Sequence, residues 1–337
     1  MSRELVVRSC GPGVTLQDMG RTGYLGFGLS RGGAVDRLAL HEGAALLGQD
    51  PGLAALELAG FGGTFETTED IRIALTGAPM RAALDGVPLA WNASHLLRAG
   101  SRLEIGPAVS GVYGYLHVGG GIATEQHLGA RATQLVAGIG APLGPGDRLA
   151  VGADDGAGVG LCLPADARFS GGTIRVVPGP QTGLFSQCEI DRFQRTLFTR
   201  DARGNRMGVR LAPDGAGFHS EAGLSVLSEF IVPGDIQITG DGTPFVLLAE
   251  CQTTGGYPRI GSVLPSDLPI VAQAAPGAGL GFRFLSIADA VVAEHAAKAA
   301  RQALRSTASP LVRDPREIRD LLAYNLVDGV ISAEATI

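Results

Sequence analysis

Three short polar clusters in this sequence hold more side chains able to bind a small molecule than a turn requires. The first is QDMGR at residues 17–21, with Arg31 and Asp36 close behind. The second is NRMGVR at residues 205–210, and the third is QTTGGYPR at residues 252–259. Arginine forks bind carboxylates and phosphates, whereas glutamine and threonine bind amide edges. Together the clusters predict a site for a small polar molecule, although each one singly also fits a tight turn.

Other motifs in the sequence argue against several kinds of enzyme. GLSRG at residues 28–32 satisfies the pattern of a nucleophile elbow, but it comes too early in the chain and lacks an upstream oxyanion motif. GIGAPLG at residues 138–144 has the wrong spacing for a dinucleotide fingerprint and favours paired turns. The six histidines show no ligand spacing, so we predict no metal site.

The basic residues exclude three further kinds of chemistry from this chain. Lys298 is the only lysine among 27 basic residues, and it lies in a helical, solvated pattern. A P-loop needs a lysine on the phosphates, and a pyridoxal phosphate enzyme needs one for its Schiff base. A biotin carrier also needs a lysine, placed in a hairpin turn. We therefore predict no covalently bound cofactor, and expect biotin or nucleotide chemistry to come from a partner or to use arginine.

Composition predicts a soluble, cytoplasmic protein of more than one domain. The 337 residues exceed one ordinary core. A net charge of −6 with dispersed arginines argues against nucleic-acid binding. No apolar run is long enough to span a membrane, and four distant cysteines form no CxxC pair.

Glycine-rich spacing predicts a mainly β protein with a few helices. The 51 glycines and 19 prolines separate short, partly alternating apolar runs, which is typical of barrels or sandwiches. Helices are expected at residues 34–48, near 183–197 and at 288–305, and residues 152–172 are the best candidate linker.

The polar clusters form part of a longer series of motifs that resembles one family over nearly the whole chain. The series is TLQDMGRTGY, SRGGAVD, ALEL, ALTGA, YLHVGGGI, LGARATQL, RVVPGPQ, NRMGVRL, GDIQI and QTTGGYPRIGSVLPSDLPIVAQAAPG. The sequence is similar to the biotin-dependent carboxyltransferases, also called allophanate hydrolase subunit 2. That family includes the Kip antagonist, the C component of prokaryotic 5-oxoprolinase and the carboxyltransferase domain of urea amidolyase.

This resemblance implies a fold of two cyclophilin-like β-barrel domains and an assembly. We expect an N-terminal domain at residues 1–165, a C-terminal domain at 166–287 and a helical tail at 288–337. The expected partner is a smaller protein like the Kip inhibitor or the B component of 5-oxoprolinase, with a third protein like the A component of that enzyme.

The clusters and the family motifs together predict the site. The predicted catalytic residues are Asp18, Arg21 and Asp267. The predicted substrate-binding residues are Gln17, Arg31, Asp36, Arg206, Arg210, Gln252, Thr253, Thr254, Gly255, Gly256, Tyr257 and Gln273. The chain departs from the family where Tyr113 replaces an arginine, Ala130 and Ala132 replace serines, Gly43-Ala44 and Gly48-Gln49 replace AN and GN, and Cys251 replaces a basic residue.

Three functions follow from the resemblance, in this order. The first is a subunit of an ATP-dependent amidohydrolase that opens 5-oxoproline or a related amide or ureido compound, with ATP supplied through the assembly and the chain inactive alone. The second is a carboxyltransferase subunit that moves a carboxyl group from partner-borne carboxybiotin to urea or a similar acceptor. The third is a non-catalytic regulatory subunit of the Kip antagonist type.

Overall fold

The computed structural model describes residues 3–156, 158–221 and 226–312, and it confirms a mainly β chain. Two sheets occupy the N-terminal half. The first sheet has the strand order β11-β1-β4-β9-β6-β7 and the second β2-β3-β10-β5-β8-β12-β22. The first comprises β1 (Glu4–Cys10), β4 (Phe61–Thr67), β6 (Met80–Leu84), β7 (Val87–Leu89), β9 (Leu103–Ala108) and β11 (Arg148–Ala150). The second comprises β2 (Thr15–Gln17), β3 (Ala55–Ala59), β5 (Ile71–Gly77), β8 (Ala93–Leu97), β10 (Tyr113–Val118), β12 (Leu161–Cys162) and β22 (Ser309–Pro310).

The strands of the N-terminal half form these two sheets and do not make a closed ring of paired strands. Apolar side chains from both sheets fill one shared core, which includes Leu5 and Phe65 from the first sheet and Ile73 and Leu116 from the second. The two sheets therefore stack face to face over this core.

The C-terminal half confirms the predicted closed barrel. Its strands run in the order β13-β20-β17-β18-β15-β14-β21, and a parallel pairing of β13 with β21 closes the ring. The barrel comprises β13 (Gly172–Val177), β14 (Phe198–Arg200), β15 (Gly208–Pro213), β17 (Asp235–Ile238), β18 (Pro244–Leu247), β20 (Arg259–Val263) and β21 (Gly279–Phe284). Outside the barrel, β16 (Glu229–Phe230) and β19 (Thr254–Gly255) pair as a short ribbon.

Local signals in the sequence set the helix ends. The helices of the described chain are α1 (Arg37–Leu47), α2 (Gln187–Arg195), α3 (Leu268–Gln273) and α4 (Ile287–Thr307), with 3-10 turns at Leu25–Phe27, Leu135–Ala137, Arg168–Ser170 and Thr182–Leu184. Asp36 caps α1 by accepting a hydrogen bond from the Ala39 N–H, and Gly48 ends it in the left-handed region at φ +67°. Ser186 and Ser286 cap α2 and α4 in the same way. The three longer predicted helices are thus confirmed.

The segment expected to be a linker is instead packed into the fold. Its β12 strand pairs with β8 and β22, and Arg168 is buried between two carboxylates. The predicted domain boundaries stay predictions, since one apolar core includes residues of both halves, such as Tyr115 and Phe193. Of the predicted helical tail, α4 is present, and residues 313–337 lie outside the described residues. No helix in the described part is long and apolar enough to cross a membrane.

Candidate functional site

Arg206, from the second polar cluster, joins the two halves. Its guanidinium pairs with Glu57 and Glu250, with a distance of 2.7 Å to Glu250 Oε1, and donates to the Gly33 carbonyl at 2.7 Å. Burial alone would lower the pKa of Arg206, but the two carboxylates raise it above its usual range. The Tyr115 hydroxyl donates to the other oxygen of Glu57 at 2.7 Å. Each of the three side-chain nitrogens of Arg206 therefore has a partner within the fold.

A second set of buried polar contacts lies close to the first. Gln273 Nε2 donates to Asp36 Oδ2 at 2.8 Å, and Arg168 Nε donates to the same oxygen at 2.9 Å. The remaining nitrogens of Arg168 bind both oxygens of Glu42 at 2.7 Å. Gln273 Oε1 also accepts the N–H of Tyr113 at 2.9 Å. We call these seven side chains the junction network: Asp36, Glu42, Glu57, Arg168, Arg206, Glu250 and Gln273.

The first polar cluster is also bound internally. Asp18 accepts the backbone N–H groups of Gly20 and Arg131 at 2.8 and 2.6 Å. Arg21 is 2% exposed and donates to the carbonyls of His127 and Ala132. Burial lowers the pKa of Arg21 although Asp18 opposes this. Asp18 and Arg21 thus hold loops together.

Gln17 is different, because half of its amide is unsatisfied. Its Nε2 donates to Thr15 Oγ1 and the Thr133 carbonyl, but its fully buried Oε1 has no partner among the described residues.

Two predicted residues of the C-terminal half lie apart from the junction network. Both oxygens of Asp267 accept hydrogen bonds from the Arg175 guanidinium, and the backbone N–H of Arg175 donates at 2.8 Å. Arg210 donates to Asp201 at 2.8 Å and to Thr243 at 3.1 Å. The structure therefore joins Asp36 to Gln273 and brings Arg206 to Gly33, but it brings neither Asp267 nor Arg210 to the first cluster.

The third polar cluster lies beside a cavity of about 280 Å³ on the outer face of the barrel. Alternation along the strands explains the position, since Ile236, Ile238 and Val246 face the barrel core while Gln237 and Phe245 face the other side. The lining residues are Arg203, Asn205, Met207, Gly208, Ile231, Gln237, Phe245, Leu247, Cys251 and Gln252. We call this space the ribbon cavity, because the β16–β19 ribbon lies beside it.

Carboxamides are the distinctive polar groups of the ribbon cavity. Gln237 is 8% exposed, and its side chain makes no hydrogen bond with any described residue. Gln252 is exposed and equally unpaired within the described chain. Asn205 accepts the Met207 N–H at 2.8 Å through its oxygen, which leaves its NH₂ group free to donate. An amide can both donate and accept, so these groups suit a ligand with an amide edge.

Glycine in the QTTGG motif makes room for Gln237. A Cβ added to Gly255 would lie 2.5 Å from Gln237 Nε2. Such a distance is well inside van der Waals contact, so a larger residue would displace the carboxamide. Thr253, Thr254, Gly256 and Tyr257 lie in the same exposed or half-exposed loop.

The ribbon cavity contains no proton-transfer group among its described lining residues, which include neither a carboxylate nor a histidine. Cys251 is buried, and burial, followed by the charge of Asp235, raises the pKa of its thiol to about 12. The thiol is therefore protonated near neutral pH. The cavity can bind and orient a small molecule, but general acid or base catalysis would need groups from elsewhere.

An apolar surface adjoins the cavity along the ribbon. Its members are Leu227, Phe230, Val232 and Tyr257, which are 83%, 59%, 42% and 45% exposed. Large apolar side chains exposed together in this way are typical of protein interaction surfaces. We call this surface the ribbon patch.

Comparison with known proteins identifies the family. The sequence model described as carboxyltransferase domain, subdomain A and B, matches residues 27–284, which is more than half of the chain. The chain belongs to this carboxyltransferase family. The predicted resemblance is thereby confirmed, including the 5-oxoprolinase and urea amidolyase relatives.

The relatives fall into two groups by length. The C component of Escherichia coli 5-oxoprolinase is 35% identical over 289 residues, which cover 83% of this chain and 90% of that protein. Its counterpart in Haemophilus influenzae is 34% identical, with 82% and 89% coverage. Urea amidolyase of Saccharomyces cerevisiae is 27% identical, and the match covers 82% of this chain but only 16% of that larger protein.

Solved structures agree with this fold. The crystal structure of TTHA0988 is 31% identical with a TM-score of 0.76, and the match covers 84% of this chain and 56% of that one. The Kluyveromyces lactis urea carboxylase, at 24% identity, has a TM-score of 0.79 over 93% of this chain and 31% of that chain. The chain thus spans about half or less of these solved proteins.

Sequence reasoning missed the residues that complete both regions. Glu42, Glu57, Glu250 and Arg168 belong to the junction network, and Gln237 lines the ribbon cavity. A usable signal existed for Glu57, since it is the one polar residue inside the apolar strand ALELA. Gln237 alternates with apolar residues in DIQI and carried no such signal. Arg168 carried no such signal, because it follows an irregular segment.

Proposed function

We propose that this chain is one subunit of an ATP-dependent amidohydrolase of the 5-oxoprolinase type, which opens 5-oxoproline or a related small amide. The observation that carries this proposal is the share of each relative's length that the chain matches. The chain aligns with 89% and 90% of the C components of two 5-oxoprolinases, but with only 25% and 16% of a putative urea carboxylase and a urea amidolyase.

The ribbon cavity is the proposed substrate site. 5-Oxoproline is a small lactam that presents one N–H, one carbonyl and one carboxylate. In this proposal Gln237 and Gln252 bind the N–H and the carbonyl, since each side chain can both donate and accept. Arg203 is the only cation among the described lining residues, and in this proposal it binds the carboxylate, although it also pairs with Asp201 at 2.8 Å. The predicted catalytic residues Asp18, Arg21 and Asp267 then act as scaffold, because each is bound within the fold.

A partner supplies the missing chemistry. Opening the lactam adds water across its C–N bond and yields glutamate, a reaction that needs a general base and a general acid. The cavity lining offers neither among its described residues. We propose that a smaller protein, like the B component of 5-oxoprolinase, docks on the ribbon patch and contributes these groups. A third protein, like the A component, would bind the ATP.

The family description favours a second candidate, a carboxyltransferase subunit. In that case a partner-borne carboxybiotin would deliver its carboxyl group to urea or a similar acceptor in the same cavity. Urea also presents amide edges, so the carboxamides suit it equally.

Glutamate release from 5-oxoproline in the presence of ATP tests the proposal. This chain alone, the partner proteins alone and the reconstituted set are compared. Turnover in the complete set alone supports the hydrolase subunit. Full activity of the partners without this chain would instead favour a regulatory role. A stable complex without turnover contradicts the proposal, and urea-dependent use of carboxybiotin by that complex would support the carboxyltransferase.

A further inference from the structure

A second cavity, of about 520 Å³, lies between α1, α4, the segment at residues 163–166 and the loop at residues 265–269. Its volume is within the usual range for small-molecule sites. Three arginines line it, namely Arg31, Arg37 and Arg301, and all three are half-buried. We call this space the arginine cavity.

The three arginines lack carboxylate partners within the described chain. Arg31 donates its Nε to the Met19 carbonyl at 2.9 Å, which leaves both terminal nitrogens unused. Arg37 and Arg301 donate no side-chain hydrogen bond to any described residue. None of the three arginines therefore forms an ion pair with a described residue, although Asp18 lies near Arg31 and two carboxylates line the same cavity.

The acidic residues of the same cavity are already occupied. Glu42 binds two nitrogens of Arg168 at 2.7 Å, and Asp166 lies 3.0 Å from Arg168. Arg168 offsets only one of the three negative charges around it, since Asp36 binds it as well. None of these carboxylates pairs with the three lining arginines in the described chain, so the terminal nitrogens of those arginines stay available for a ligand.

Electrostatics in the arginine cavity agree with this geometry. Burial, followed by repulsion from Arg31, lowers the pKa of Arg37 to about 10. Burial, followed by repulsion from Arg301, also lowers the pKa of His41, which lines the same cavity. Desolvated cations that repel one another are stabilised by a bound anion.

The remaining lining indicates what else the anion carries. Apolar side chains form much of the wall, and they include Leu38, Leu163, Pro265, Pro269 and Leu304. A ligand that fills the space therefore has an apolar body as well as an anionic group.

We propose that the arginine cavity binds a small organic anion, whose carboxylate or phosphate lies among Arg31, Arg37 and Arg301 while its apolar part packs on α1 and α4. Arginine forks match both of these oxyanions. The proposal is independent of the ribbon cavity and of the proposed function. It involves α4, which lies beyond the residues matched by the family model.

Isothermal titration calorimetry of the full chain tests the proposal with three probes: phenyl phosphate, benzoate and the neutral benzyl alcohol. We expect one or both anions to bind and benzyl alcohol not to bind. The tighter anion tells whether the site prefers phosphate or carboxylate. Arg37→Gln and Arg301→Gln should each weaken binding by at least roughly tenfold, since each removes a charged hydrogen-bond donor.

Two controls keep this test decisive. Arg98→Gln removes an exposed arginine outside the cavity and should leave the affinity unchanged. In NMR titrations, the anion should raise the pKa of His41, a response that requires binding at this site. Absence of binding by both anions, equal binding of benzyl alcohol, or unchanged affinity in both cavity variants while they remain folded would overturn the proposal.

Discussion

The junction network and the ribbon cavity each contain glutamine side chains but use them in different ways. In the junction network Arg206 meets two carboxylates, and Gln273 uses both ends of its amide. In the ribbon cavity Gln237 is almost as buried, yet its amide has no partner in the described chain. An amide that faces a cavity without a partner can bind a ligand, whereas the paired side chains of the junction network stabilise the fold.

Removing the charge of Arg206 should give the largest effect. Arg206→Met leaves Glu57 and Glu250 uncompensated, and we expect the free energy of unfolding to fall by about 3–5 kcal/mol. Urea denaturation measures this loss. Arg98→Met, at an exposed position, is the matched control and should change little. A loss below about 1 kcal/mol would mean that the network does not support the fold.

Disrupting the ribbon patch should weaken assembly without affecting folding. Phe230 is 59% exposed, so Phe230→Asp places a charge on the surface proposed to meet the partner. We expect the Kd for the smaller partner protein to rise roughly 30-fold, as for an interface hot spot. Leu197→Asp, at another exposed apolar residue, is the control. Equal effects of the two substitutions would show that the ribbon patch does not contact the partner.

The buried histidine His117, in strand β10 of the N-terminal half, should make stability depend on pH. Burial lowers the pKa of His117 to about 3 in the folded protein, against about 6.5 in an unfolded chain. Below pH 6.5 the unfolded state therefore binds a proton that the folded state does not, and stability falls as pH falls.

Replacing His117 measures this contribution. Between pH 6 and 5, His117→Asn should lose about 1 kcal/mol less stability than the unsubstituted chain. His295→Asn, on the surface of α4, is the control and should keep the original slope. Equal slopes for all three proteins would show that His117 is not held neutral.

Gln252 should give the smallest effect, because it lies at the exposed edge of the ribbon cavity. Gln252→Ala removes one neutral hydrogen bond, so the KM for 5-oxoproline should rise about fivefold in the reconstituted assembly. Steady-state kinetics measure this change, and the free energy of unfolding should stay the same. Unaltered kinetics would show that the substrate does not bind at the third polar cluster.

Local features of the fold were predictable from sequence, whereas pairings between distant residues were not. Helix α1 followed from its apolar spacing and the stop at Gly48, and the structure adds the cap at Asp36. The partners of Arg206 are 149 and 44 residues away in the chain, so no local pattern pointed to them. Gly43 is one departure from the family, and only the fold explains why glycine stands there. A Cβ at this position would lie 2.4 Å from the His117 ring.

The site residues divide in the same way. The TTGG segment, for which a tight strand corner was the alternative to a binding role, contains the short β19 strand. Neither its cavity nor the role of Gln237 followed from sequence, because the two meet only when the ribbon lies against the barrel.

The kinetics of Gln237→Leu in the reconstituted assembly test the central claim most directly. This substitution keeps the approximate shape of the side chain but removes the amide, and Gln126→Leu at an exposed position of the N-terminal half is its control. We predict that kcat/KM for 5-oxoproline falls at least roughly tenfold in the Gln237 variant while the free energy of unfolding is unchanged or higher. Unchanged kcat/KM, or a loss of stability like that of Arg206→Met, would show that Gln237 supports the fold and does not bind substrate.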